Sequence, residues 1–322
     1  MKRRTVVMGG VAALLAQTGA LAQDPGRSYR VGALLPTAGL AARPYLAALR
    51  ERLAAHGFDE GRNLTIEPRY PTSSTEVEGL IPEKLDAVFT CTSIVTGAAL
   101  SATKSVPVVF AWVADPVASG FVQSLGRPGG RATGVRTPTF ELTKKRLELL
   151  RELLPSATRV AMAALFFDAT SQVNLRHAKD AASRLGFELI RIAGISGWSG
   201  AMRAAMDSGT QAVIVLTPFA VFGLRDDADE VVRLMLEHRI PVMFSDAEST
   251  ELGGLISYSP DLLDEVRRAA DLLAKVLRGM DPALIAVDQT VRFQLVVNLK
   301  AARAIGIEVP QSILLRADRV VE

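Results

Sequence analysis

The residues best suited to chemistry are short hydroxyls, carboxylates and phenylalanines that follow apolar runs. Thr37 follows Arg30–Leu35, Thr92 and Ser93 follow Asp86–Thr90, and Asp115 follows Val106–Phe110. Phe167 and Asp168 follow Arg159–Leu165, Thr217 and Phe219 follow Ala212–Leu216, and Asp246 follows Pro241–Phe244. Hydroxyls next to the free N–H groups of a helix start suit a carboxylate or an amide. Asp115 and Asp246 are acceptors for an ammonium, and Phe167 and Phe219 offer apolar faces. An amino acid or a similar small zwitterion fits that inventory. The same residue types also serve as helix N-caps, worth about 1 kcal/mol each, and Asp115-Pro116 also suits a turn.

Other chemistries lack their residues. No Gly-x-Gly-x-x-Gly follows an apolar run, no phosphate-loop Gly-Lys-Ser/Thr occurs, and no Gly-x-Ser-x-Gly elbow is present. Gly126–Gly130 is a lone turn. His56, His177 and His238 lie in polar helical stretches with no spacing that suggests a partner for Cys91, the single cysteine, which ends an apolar run and reads as a buried side chain. No His, Cys and carboxylate cluster has metal spacing. The expectation is a protein with no catalytic residue, no cofactor and no metal. An acid/base pair of Asp115 with Asp246 across a cleft is the enzymatic rival.

The elements that must carry these residues repeat as strand then helix. Apolar runs ended by Pro or polar residues read as strands buried on both faces, and amphipathic stretches follow them, such as Pro44–His56 stopped by Gly57 and Ser171–Leu185 stopped by Gly186. Alternation of this kind predicts an α/β fold with parallel sheets flanked by helices. Two series of similar size, 30–135 and 141–257, predict two Rossmann-like lobes. The late helix Asp261–Arg278 and strand Phe293–Val297 are best placed by letting the chain return to the first lobe and then to the second. The expected division is 23–135 plus 259–287 for lobe one and 136–258 plus 288–322 for lobe two, joined by a three-segment hinge.

The 322 residues are 49% hydrophobic and 22% charged, ample for two cores. The net charge of +3 comes from Lys2, Arg3 and Arg4, so the rest of the chain is balanced and offers no basic stripe for nucleic acid. Those three residues, the apolar Val6–Leu15 and Ala20-Leu21-Ala22 read as a signal peptide over 1–22, of the Sec type rather than twin-arginine. The apolar run is too short for an anchor. A periplasmic protein is expected.

Several stretches resemble one family in order along the chain. Gly57-Phe58-Asp59-Glu60-Gly61-Arg62-Asn63-Leu64-Thr65-Ile66-Glu67, Val106–Phe110 with Ala114-Asp115-Pro116-Val117, and Arg127–Val135 are similar to segments of the ABC transporter substrate-binding proteins of the tryptophan/tyrosine type. Lys145–Leu150, Gly253–Tyr258 and Phe293–Lys300 extend the likeness. The resemblance implies a type I periplasmic-binding-protein fold. It implies a monomeric receptor that closes on a small molecule and delivers it to an inner-membrane permease with a separate ATPase. By the same analogy Thr92 and Ser93 stand in the ligand loop. The chain departs from the family around the cleft, with Cys91-Thr92-Ser93 in place of a Ser-Gly-Thr loop and Phe167-Asp168-Ala169-Thr170 in place of an Asn-Pro-rich one. The alternative is a periplasmic ligand-sensing domain acting with a membrane signalling partner.

Overall fold

The structure, a computed structural model, describes residues 26–36, 39–71, 73–81, 84–164, 169–194, 197–216 and 224–322. The signal segment expected over 1–22 lies outside them.

The first sheet contains β1 (Tyr29–Leu34), β2 (Leu64–Arg69), β3 (Ala87–Cys91), β4 (Val108–Val113), β5 (Ala132–Arg136) and β11 (Asp288–Gln289). Their order is β11-β5-β4-β3-β1-β2, and every pairing is parallel. The second holds β6 (Arg159–Ala164), β7 (Glu188–Ala193), β8 (Ala212–Val215), β9 (Val242–Phe244), β10 (Ile256–Pro260), β12 (Phe293–Asn298) and β13 (Arg319–Val321), in the order β13-β12-β10-β9-β8-β6-β7. Only the β10–β12 pairing there is antiparallel. Strands β3, β4 and β8 are buried along their whole length, as a sheet covered on both faces requires. Each sheet begins the same way: its second strand lies on one side of the first and its third on the other. The order therefore reverses between β1 and β3 and between β6 and β8, and ligands of such sheets bind past the carboxyl ends of strands at that reversal.

Helices fill the faces. α1 (Gly39–Ala55) buries Leu46, Leu49 and Leu53 under the first sheet. Outside α1 in that lobe lie α2 (Val77–Leu80) and α3 (Ser93–Ala102). The second lobe carries α4 (Thr139–Leu153), α5 (Ala169–Arg184), α6 (Trp198–Asp207), α7 (Arg225–His238) and α8 (Ala247–Glu251), then α10 (Leu299–Ile305) and α11 (Gln311–Leu314). Between them α9 (Leu262–Leu277) returns to the first lobe: Val266, Ala269, Ala270 and Leu273 join the core around Leu49 and Phe89. Asp261 starts α9 as its N-cap, accepting from Asp264 N at 3.0 Å.

The chain passes between sheets after β5, after β10 and after β11. The second passage follows Pro260 and the third follows Gln289. Ser259 and Pro260 pair with β12, and Asp288 and Gln289 pair with Val135 and Arg136 of β5.

Among the described residues no helix is long and apolar enough to cross a membrane.

Candidate functional site

Thr37, Phe167, Asp168, Thr217 and Phe219 lie outside the described residues. Thr92, Ser93, Asp115 and Asp246 are described, and each sits at the carboxyl end of a strand.

Thr92 stands between β3 and α3 with φ of 72°, a left-handed backbone that a β-branched residue rarely adopts. Its side chain does not cap α3. Its N–H is used by Ala111 O at 3.1 Å, and its carbonyl accepts from Thr96 Oγ1 at 2.7 Å. The turn therefore presents a half-buried Thr92 and Ser93 at an uncapped helix start, which retains the donors that suit a carboxylate or an amide.

Asp115 organises its own turn: Oδ1 accepts from Val117 N at 3.1 Å and Ala118 N at 2.9 Å. Asp246 is only 4% exposed and caps α8, where Oδ1 accepts from Ser249 N and Ser249 Oγ, both at 2.8 Å. The two acids that form the enzymatic rival thus each hold a local turn.

Four further residues complete the region, and none was selected by its sequence. Tyr45, on α1, sets its ring edge-to-face on Trp112, with centroids 4.8 Å apart. Burial pushes its phenol well above the usual range, and the nearby Cys91, Glu248 and Asp246 add to the shift. Glu248 and Asp246 belong to the second lobe and Tyr45 to the first, so the two lobes face each other here.

Trp112 is pinned to the returning helix: its backbone N–H donates to Glu265 Oε2 at 3.2 Å and its indole Nε1 to Leu262 O at 3.3 Å. Gly134 explains how its N–H is free to do so. A Cβ there would stand 2.1 Å from Phe110 O, so only glycine lets β5 approach that closely. The β4–β5 register then shifts between Phe110 and Val113. Trp112 sits on this bulge with φ of 58°, out of the ladder.

Glu265 is fully buried. Its carboxyl accepts from Thr137 Oγ1 at 2.9 and 3.0 Å as well as from Trp112 N. Burial pushes it from 4.5 up to about 7, against the hydroxyls of Thr290 and Thr137 and the Trp112 N–H, which favour the ionised form; Asp264 adds repulsion. The Thr290 hydroxyl approaches without completing a well-aligned hydrogen bond.

Arg146, on α4, is 4% exposed. Its Nε donates to Tyr258 O at 2.8 Å, next to the second crossing. Burial lowers its pKa to about 10, and the fields of Asp246 and Tyr258 oppose that shift. Among the described residues the buried hydroxyls of Ser245, Thr250 and Ser257, also in the second lobe, find no hydrogen-bond partner.

The sequence does carry a signal for both buried charges. Arg146 falls on the helical repeat of Leu142, Leu149, Leu150 and Leu153, and Glu265 on that of Ala269, Leu272 and Val276. A charge on the apolar stripe is buried, and a buried charge needs partners.

Among the described residues no group of His, Cys, Asp and Glu can hold a metal ion.

Comparison with known proteins gives one consistent picture. The model of the family described as "ABC transporter substrate binding protein" matches residues 45–321. A tyrosine-binding protein of Clostridioides difficile is 24% identical over 278 residues, which cover 85% of this chain and 78% of that protein. A conserved domain protein from Vibrio cholerae superposes with a TM-score of 0.83 at 23% identity, covering 91% of this chain and 100% of that one. An ABC domain from Streptococcus pneumonia, solved in complex with L-Trp, gives 0.80 at 22% identity over the same shares.

Proposed function

The chain belongs to the ABC transporter substrate-binding protein family, and from that premise we propose that it is the receptor of an importer, closing its lobes on an aromatic amino acid. Members of the family work outside the cytoplasm and bind a substrate; the importer, the ligand class and the closing motion belong to the proposal.

One observation carries it. The Tyr45 phenol of the first lobe lies in the field of Asp246 and Glu248 of the second. A helix of one lobe therefore lies near a helix start of the other, over the strand ends where such sheets take ligands. The Tyr45–Trp112 pair gives that region an aromatic wall, suited to a ring. The tyrosine-binding relative and the L-Trp complex support the same ligand class. Thr37, Thr92 and Ser93 are assigned to the ligand carboxylate, Asp115, Asp168 and Asp246 to its ammonium end, and Phe167, Thr217 and Phe219 to its side chain.

Closing brings docking surfaces of both lobes into register for a permease powered by a separate ATPase. The protein acts as a monomer in the periplasm, exported by a Sec signal at 1–22. Lobe one is 23–135 plus 259–287 and lobe two 136–258 plus 288–322, with the crossings completed at Pro260 and Gln289.

The test is a thermal shift of the purified protein with L-tryptophan and L-tyrosine, paired with small-angle scattering. A ligand at a hundred times its Kd stabilises by about 2.7 kcal/mol, so a rise of several degrees and a smaller radius of gyration are expected. No shift with these or any other proteinogenic amino acid sinks the ligand class.

A further inference from the structure

Three segments cross between the lobes, and a single side chain reaches two of them. Glu265 stands in the first turn of α9, just after the second crossing. Thr137, on the first crossing, shares its one hydroxyl proton between the two carboxyl oxygens, 2.9 and 3.0 Å away. Thr290, on the third crossing, brings its buried hydroxyl alongside. The remaining bond comes from the backbone of Trp112, whose ring forms the aromatic wall with Tyr45.

The charges around this knot are accounted for elsewhere. On α9 itself, Asp264 lies 3.6 Å from Arg292 Nε of the third crossing, and Arg268 pairs with Asp288 at 2.6 Å. From β5, Arg136 donates to Gln289 at 2.9 Å and reaches Glu141 at 3.4 Å. From β3, Cys91 lies within the field of Glu265, buried with its thiol held neutral. From α1, Tyr45 stands behind Trp112 with its phenol held protonated. Among the described residues the hydrogen bonds to Glu265 come from neutral donors only. An isolated buried carboxylate is costly without a cation, so this one exchanges its proton on small changes of surroundings.

We propose that Glu265 is a positioning residue for closure: its carboxyl ties two hinge crossings to the Trp112 wall, and gaining a proton there shifts the lobes toward the open arrangement. Ionised, the carboxyl accepts from Thr137 and Trp112 and draws the neighbouring Thr290 hydroxyl toward it. Protonated, one oxygen becomes a donor, and the incoming donors compete for the acceptor capacity that is left. The hinge then loses its common tether. The inference rests on the receptor reading, because it assumes that the lobes open and close.

The protein's two tryptophans allow a direct test. Trp198 is buried in the core of the second lobe, and Trp198→Phe leaves Trp112 as the sole reporter. Its emission and the radius of gyration are recorded without ligand between about pH 5 and about pH 9. The expected result is one shared transition with a midpoint near 7, the radius being larger on the acid side. Glu265→Gln, the isosteric amide, removes the transition. Thr137→Val, which deletes one donor to the carboxylate and alters no charge, moves the midpoint upward and serves if the amide variant folds poorly. A flat trace in the parent, a transition that survives Glu265→Gln, or an emission change at constant radius overturns the inference. Compaction by L-tryptophan and L-tyrosine is measured at about pH 8 in the same series. Compaction with flat pH traces fails this inference alone, whereas absent compaction fails the receptor reading.

Discussion

Among the described residues a buried charge stands against the hinge in each lobe, Arg146 in the second and Glu265 in the first, and the two are handled in opposite ways. In the second lobe Arg146 holds the Tyr258 carbonyl and lies in the field of a buried acid, Asp246. In the first lobe Glu265 holds Thr137 and the Trp112 backbone with neutral donors. The arginine keeps its proton, with a pKa of about 10, and the carboxyl sits at about 7. Compensation therefore separates a permanent strut from a group that exchanges its proton near neutrality. Both occupy the apolar stripe of an amphipathic helix, so burial alone does not distinguish them; the sign of the neighbours does.

Removing the strut is the strongest way to break that contrast. Arg146→Met removes the cation whose field reaches buried Asp246 and leaves the Tyr258 carbonyl without this donor. Losing a hydrogen bond from a charged donor costs about 1.5–3 kcal/mol. Urea unfolding should show a loss of that order, and Arg146→Lys should recover part of it, because the charge returns without the planar fork. A loss below about 1 kcal/mol, the range of an exposed pair, means that the guanidinium does not support the second lobe as argued.

The pH dependence of stability tests the other half. Glu265 has a folded pKa raised from 4.5 to about 7. Between those values the folded state holds a proton that the unfolded state has released. Stability from this group is thus fully present below about 4.5 and falls as the pH rises through about 7. Urea midpoints collected across that window should decline in the parent. The decline should disappear in Glu265→Gln, whose neutral amide stands in for the protonated carboxyl, so the two proteins differ most at the alkaline end of that window. A parent profile that is level there, or that rises, contradicts the sign.

Much of this scaffold was legible in the residues. Runs such as Val106–Phe110 and Ala212–Leu216 are apolar at every position, which only a two-sided sheet explains, and glycines such as Gly57 and Gly186 stop the helices that follow. The return of the late helix followed from its having no partner in its own stretch of sequence. The short strands were harder to read. Asp288–Gln289 carries no apolar pattern, and its pairing with β5 depends on where the chain re-enters. Strand β10 reads Ile-Ser-Tyr-Ser-Pro, weak as an isolated strand and held by β9 and β12. The candidate site was legible only as a set of strand ends. Thr92, Asp115 and Asp246 stand at such ends, but nothing in the spacing says that Asp246 is a buried helix cap while Asp115 holds an exposed turn. Tyr45, Trp112, Arg146 and Glu265 come from elements 34 to 220 residues apart, which local pattern cannot report.

The two aspartates carry the contrast between lobes down to its smallest expected effect. Asp246 is enclosed, and its charge balances Arg146. Asp115 is half-buried; Oδ1 serves Val117 and Ala118, and that bond survives in an amide of the same shape. Asp115→Asn should therefore change stability by no more than about 0.5 kcal/mol, the ordinary scale for a surface substitution. If the carboxylate also meets the ligand's ammonium, as proposed, the same substitution removes a charge-assisted bond. Affinity for L-tryptophan or L-tyrosine should then fall by about tenfold, equivalent to about 1.4 kcal/mol. Calorimetric titration beside a urea curve separates the outcomes: weaker binding with an unchanged midpoint places Asp115 in the ligand shell, and unchanged binding confines it to its turn.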